Sequence, residues 1–308
     1  MIPGWTTVED WLDEPVTELR LEIVRAAAPL AVLGFMSGRL AHADEWIGDA
    51  GFRVPDLGGK EAWYQPLFVP ALPAGAAWTV AALMITSGLA CCVGYKTRPS
   101  AIVFASTLAF VAVSDRLAAF TVSKLSPAVM LAIAAGPAGS RLSVDAWLAR
   151  RRGEPPAPAR RSLRNVRFLQ LLVVTIYSAS GIAKARGDWL SEPLVLWSHL
   201  HDSYQTWLAF ALASVLPAWT WTMFQGMVLG FELLAPLWFG LPKTRPWAML
   251  FGVGMHAMIG LLFGPVVWFA LLMATLLVAG YLPEPLMQRL DRALSSRRAA
   301  GSPAPRRS

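Results

Sequence analysis

Residues 218–241 read AWTWTMFQGMVLGFELLAPLWFGL, 24 positions with a single ionisable side chain, Glu232. A bilayer core takes about 20 apolar helical residues, so this stretch reads as a membrane span and sets the reading of the whole chain. Its neighbour, 246–263, reads PWAMLFGVGMHAMIGLLF and again carries one ionisable group, His256. Working outward, the same test picks 21–40, 74–95, 99–118, 124–140, 165–184 and 265–282, eight spans in all. The apolar stretch 204–216 has only 13 residues and ends before Pro217. It reads as a helix lying at the interface or re-entering. The expected fold is all-α, a polytopic transmembrane helical bundle of about eight spans plus that short helix.

Composition agrees. Of 308 residues, 55% are hydrophobic and 15% charged, against about 25% charged in an ordinary soluble domain. A soluble globule cannot hide that much apolar surface, which excludes a soluble enzyme. A disordered chain needs low hydrophobicity and is excluded too. The 14 tryptophans suit a membrane interface. Cys91 and Cys92 are adjacent in an apolar run and read as packing residues, with no disulfide framework and no metal spacing. No metal is expected.

The net charge of +7 does not point to nucleic acid, because the basic residues lie between apolar runs. With a cytoplasmic N-terminus and eight spans, inner segments carry 19 Lys and Arg and outer segments 6. That bias places both termini in the cytoplasm. A full span at 204–216 would move Lys243, Arg245 and the basic tail outside, against the rule. Met1–Leu19 lacks a basic region followed by an apolar one, so no cleaved signal peptide is expected. The organisation is then an amphipathic cytoplasmic N-terminus over 1–20, with a short helix within 6–18, and a transmembrane domain over 21–282. A Pro-rich linker, 153–162, divides the latter into two halves. A basic tail, disordered and cytoplasmic, occupies 283–308.

An ionisable group at bilayer depth costs about 2.5–3.5 kcal/mol on insertion scales, so it faces protein or water and often has a task. Glu232 lies 10 residues before Pro242, and His256 lies 11 after Arg245. Helical rise puts both about 15 Å from the inner face, on antiparallel neighbours, where carboxylate and imidazole can share a proton. The pair reads either as an acid/base or cofactor-orienting device, or as a structural bond between helices. Lys184 ends the fifth span after the small residues Ser178, Ala179, Ser180 and Gly181. A partly desolvated lysine acts as a base, whereas one at the interface snorkels, with Trp189 as its belt. Rise alone puts Lys184 about 10 Å above the Glu232–His256 level. Arg25 reads either as paired with an acidic group or, the favoured reading, as snorkelling inward, and Asp115 with Arg116 reads as a solvated pair.

These residues carry a resemblance. The chain resembles the HTTM (horizontally transferred transmembrane) domain, the membrane part of vitamin K-dependent gamma-carboxylases and their bacterial relatives. The likeness spans roughly 20–282 and rests on Gly94-Tyr95-Lys96-Thr97-Arg98, Leu142-Ser143-Val144-Asp145-Ala146, the Tyr177–Trp189 run, Phe231-Glu232, and Gly252-Val253-Gly254-Met255-His256 with Phe263. The resemblance implies that Lys184 is the base that deprotonates a reduced isoprenoid quinone. It also implies a bacterial plasma membrane, with Lys184 at the outer face. Two departures stand out. Phe120–Lys124 holds no histidine where the carboxylases place one, and Ser191-Glu192-Pro193 follow Asp188-Trp189 closely. What the resemblance implies is thus a scaffold with a hydroquinone pocket and a base, rather than carboxylation of a protein.

Two functions compete. In the first, the protein is a quinone-dependent redox or lyase-type membrane enzyme. Lys184 is its base, Glu232 and His256 orient the ring or relay protons, Tyr177 and Trp189 line the cofactor site, and the pocket opens to the outer leaflet. In the second, it is a non-catalytic accessory or scaffold for a membrane or secreted peptide partner. Transport has little support, because no pair of broken helices repeats between the halves.

Overall fold

The computed structural model describes residues 8–51, 71–114, 120–154, 164–202 and 204–301. The helices are α1 (Val8–Asp13), α2 (Leu19–Ala41), α3 (Ala43–Trp46), α4 (Ala74–Val93), α5 (Thr97–Ser114), α6 (Thr121–Ala135), α7 (Val144–Arg151) and α8 (Arg164–Arg186). They continue with α9 (Val195–His199), α10 (Trp207–Val215), α11 (Ala218–Leu233), α12 (Ala235–Gly240), α13 (Arg245–Leu262), α14 (Val267–Tyr281) and α15 (Glu284–Gly301). Among the described residues no strand forms. All-helical architecture is what oil demands, since a helix satisfies its backbone internally.

α2 is the hub. It packs against α4 and α6 on one side and α14 on the other, and α14 in turn packs on α8 and α13. One apolar core therefore runs through both halves, from Phe104 and Met130 across Val24 and Ala28 to Leu272 and Leu276. A smaller cluster of Leu200, Ala209, Trp221 and Leu262 holds α9 and α10 against α11 and α13.

Four helices are long and apolar enough to cross a bilayer: Ala74–Val93, Thr97–Ser114, Arg164–Arg186 and Gly264–Tyr281. Trp207–Val215 with Ala218–Leu233, bent by 117°, makes a fifth if the two count as one broken span. The other expected spans fall short of that test for visible reasons. α2 carries Arg20, Glu22, Arg25 and Arg39, α6 has 15 residues, and α13 opens on Arg245 and carries His256. The expected single helix over 218–241 is two helices, broken at Leu234 ahead of Pro236.

The charges of α2 have defined partners. Arg20 donates to the carbonyls of Ala279 (2.8 Å) and Leu282 (2.6 Å) and pairs with Glu284 at 2.9 Å. Arg25 takes the paired reading instead of snorkelling. It pairs with Glu22 at 3.2 Å and donates to the carbonyls of Cys91, Cys92 and Leu142. Helix C-termini expose unpaired carbonyls and partial negative charge, so these guanidiniums cap α14 and α4.

The tail also differs from expectation, because Glu284–Gly301 is helical. Leu286, Met287 and Leu290 give it an apolar side, Met287 is buried, and pairs with Arg20 and with Arg141 (Asp291, 2.8 Å) hold it down. Near the N-terminus, Val8–Asp13 forms the expected short helix, fixed by Arg164–Asp13 and Arg167–Glu14 pairs. Most of the 153–162 linker and the Asp115–Arg116 pair lie outside the described residues.

Candidate functional site

The site is built on one face of α8. Gly181 lets α11 come against the α8 backbone: a Cβ there would sit 2.8 Å from the Leu233 nitrogen and 2.9 Å from the Glu232 carbonyl carbon. This contact carries Glu232 to Lys184. The Lys184 Nζ donates to Glu232 Oε1 at 2.5 Å and lies 4.8 Å from the Trp189 ring centroid. The lysine side chain is 24% exposed and the glutamate 7%, so the pair sits at the margin of the bundle with its carboxylate inside. The second carboxylate oxygen, Glu232 Oε2, is buried without a hydrogen-bond partner.

One turn along α8, Tyr177 is buried and its hydroxyl meets His256 Nε2 at 2.9 Å. The tyrosine ring packs edge-on against Phe231 and parallel to Phe239, with centroids 5.2 and 6.0 Å away. Phe269 stands edge-on to the imidazole at 5.4 Å. The other imidazole nitrogen, Nδ1, is buried and unpartnered. A buried polar atom without a protein partner is unusual in a native protein and calls for one, an ordered water or a bound group.

All five sequence-derived residues therefore meet along one face, but not in the pairing expected. Glu232 bonds Lys184, and His256 bonds Tyr177. The expected Glu232–His256 pair is replaced because the two differ in depth. Glu232 sits beside Gly181, while His256 sits at Tyr177, four residues or about 6 Å lower on α8. Counting 1.5 Å per residue from Pro242 assumed an unbroken helix. The break at Leu234 and the extended backbone of Leu241 (ψ 124°) change that count. The same error separated Lys184 from Glu232, and the long lysine stem closes the remaining gap.

Beside this face, α11, α12 and α13 enclose an open apolar groove of about 410 Å³. Phe231, Trp238, Trp247 and Phe251 line it, with Gly226 and Gly230 in its floor. Phe231 divides groove from site, touching Tyr177 on one side and Phe251 at 4.7 Å on the other. The groove extends toward Thr244 in the α12–α13 turn. Among the described residues no group of three or more His, Cys, Asp or Glu is arranged to hold a metal ion.

Two of the sequence motifs prove to be one joint far from this face. Asp145 accepts from the Lys96 and Thr97 amides (2.7 and 2.9 Å) and the Thr97 hydroxyl, closing the α4–α5 turn. Gly94 takes φ +72°, and a Cβ there would meet Ser143 at 2.4 Å. These residues are architectural. Gln225 escaped notice in the sequence although it is buried in α11 and fully hydrogen-bonded. An amide in an apolar span was the available signal.

The HTTM domain family model matches residues 60–280, and the chain belongs to that family. No curated protein and no solved structure matches it.

Proposed function

With membership of the HTTM domain family as the premise, we propose that this integral membrane protein binds a reduced isoprenoid quinone beside the Lys184–Glu232 pair and takes a proton from it. The observation that carries the proposal is the open carboxylate oxygen. Lys184 saturates Glu232 Oε1, while Oε2 is buried, unpartnered and available to a hydroxyl donor. The fit is chemical as well. Gly230 and Phe231 of the groove adjoin Glu232 in sequence, and the groove offers aromatic and aliphatic lining to an isoprenoid chain. A bound quinol supplies phenolic protons and a pair of electrons.

The chain's own residues then have distinct tasks. The base is the Lys184–Glu232 pair, which takes up the proton that the quinol hydroxyl gives, with Lys184 the member that the resemblance names. Trp189 faces the ammonium, and Tyr177 holds the His256 ring through Nε2 so that Nδ1 stays free to bond a ligand. We further propose eight spans with both termini in the cytoplasm of a bacterial cell and Lys184 toward the outer face. In this topology α2, α6 and α13 cross as well, their charges compensated inside the bundle.

Quinol-dependent oxygen uptake by protein in lipid vesicles tests the proposal. Lys184→Ala abolishes it while the fold persists. Gly230→Leu, whose Cβ meets nothing within 4 Å, fills the groove and raises the KM for quinol. Uptake that Lys184→Ala leaves intact would refute the base.

A second reading, an accessory or scaffold for a membrane or secreted peptide partner, draws on one observation: the Lys184–Glu232 bond also ties α8 to α11 at their closest approach. It expects no quinol-dependent uptake from the wild type, so Lys184→Ala changes none, while Lys184→Ala and Glu232→Ala both lower stability.

A further inference from the structure

The side chain of Gln225 is 3% exposed, in the middle of an apolar helix. An amide there needs partners, and it finds all of them on one passing segment. Its Nε2 donates to the carbonyls of Trp189 and Glu192, each at 2.8 Å, and its Oε1 accepts from the Leu196 amide at 3.0 Å. Thr222, three residues earlier on the same face of α11, donates to the Pro193 carbonyl at 2.7 Å. Residues 189–194 form no helix or strand of their own, although a 2.8 Å bond from the Glu192 amide to Asp188 closes one turn. What fixes the segment is therefore α11. The segment begins with the ring that covers Lys184.

A lysine in the last turn of a span ordinarily extends its ammonium into water. Here the ammonium turns inward to Glu232 and the Trp189 indole lies against it, a favourable cation–π contact. We propose that Gln225 is a positioning residue. It clamps 189–196 as a strap whose Trp189 shields Lys184 from the aqueous side, so that the Lys184–Glu232 pair is reached by molecules dissolved in the bilayer and closed to water-soluble ones. The inference rests on the reading above for the pair being the working site. It deepens that reading by adding a positioning residue and a barrier between the pair and water. The clamp uses backbone carbonyls and one backbone amide, so it does not depend on the side chains of Ser191, Glu192 and Pro193.

The experiment measures acylation of Lys184 by a water-soluble, membrane-impermeant N-hydroxysuccinimide ester on protein in vesicles, followed by mass spectrometry. The exposed Lys124 serves as internal standard. In the wild type Lys184 reacts more slowly than Lys124. Gln225→Leu raises the Lys184 rate about tenfold or more, because three hydrogen bonds that hold the strap closed are gone, and leaves Lys124 unchanged. Thr222→Val, which removes one bond at a partly exposed position, gives a smaller rise in the same direction. Trp189→Ala opens the site without touching the clamp. Should Gln225→Leu fail to fold, the latter two variants decide. Wild-type Lys184 as reactive as Lys124, or unchanged rates in the folded variants, would overturn the strap. Labelling as expected without any quinol-dependent uptake would instead refute the base and leave the strap standing.

Discussion

Two sets of buried charge lie at opposite ends of α8, and they are built differently. At the Arg20 end, Arg20, Glu22 and Arg25 are nearly inaccessible, and their bonds go to backbone carbonyls, most at helix C-termini, to Glu284 and to one another. Glu22 uses both oxygens, on Arg25 and on the Arg141 amide. Arg167 Nε is the unpartnered atom there, in a side chain otherwise bound to Gln170 and Glu14. At the other end, Lys184–Glu232 and Tyr177–His256 each spend one bond between them and leave an acidic oxygen and an imidazole nitrogen open. The comparison teaches that a charge sunk in a membrane protein does not by itself mark a reactive site. Saturated groups hold helices together, whereas open ones can take a ligand.

The sharpest way to break that contrast is to remove a saturated group. Arg25→Met leaves Glu22 buried without its counter-charge and uncaps α4, so the loss of stability should be about 3–5 kcal/mol. Denaturation of the detergent-solubilised protein, followed by circular dichroism, measures it. A change below that of Lys184→Met would reverse the assignment of the two ends.

The next effect is smaller. Lys184→Met and Glu232→Leu should each destabilise the fold, and the double variant should recover most of the loss, with a coupling of about 0.5–3 kcal/mol. Recovery of stability without recovery of quinol-dependent uptake separates the pair's chemistry from its packing. Tyr177→Phe should cost less, about 0.6 kcal/mol and at most about 1.7, the average and the maximum measured for hydrogen bonds between membrane helices. A loss well above that would mean that the Tyr177–His256 bond is chiefly structural.

Much of this was legible in the sequence. Apolar run length located the helices, and ionisable residues inside them singled out Lys184, Glu232 and His256, but not their meeting with Tyr177 on one shared face. Pairing was not legible, because it depends on depth, and depth depends on where helices break. Leu234 ends α11 directly after the Glu232-Leu233 step, and Pro236 was visible, yet the amount by which a break shifts register is a tertiary property. The structural use of Arg25 was partly hidden for a related reason. Pairing with an acidic group was one of its two readings and Glu22 supplies it, but its other partners are backbone carbonyls of Cys91, Cys92 and Leu142, which leave no trace in side-chain chemistry. The tail was misread because composition outweighed periodicity: Leu286, Met287 and Leu290 recur at helical spacing within a basic, polar stretch.

The smallest expected effect sharpens the Arg20 end itself. Glu284, outside the spans, is partly buried, which pushes its carboxyl pKa up. Hydrogen bonds from Thr17 and Arg20 and the Arg20 charge more than offset that, so the pKa lies below the usual carboxylate range. A carboxyl with a lowered folded-state pKa contributes stability that is present above its unfolded pKa and is lost as pH falls through the folded one. Stability should therefore decline on acidification below the ordinary carboxylate range. Glu284→Gln should flatten that part of the profile while lowering stability at neutral pH. Because the Glu284 side chain is 28% exposed, water and salt screen its pair with Arg20, and the decline should shrink as ionic strength rises. A decline that Glu284→Gln leaves unaltered would assign the acid sensitivity to another carboxyl and reduce the Thr17–Arg20–Glu284 contact to a passive tether of α15.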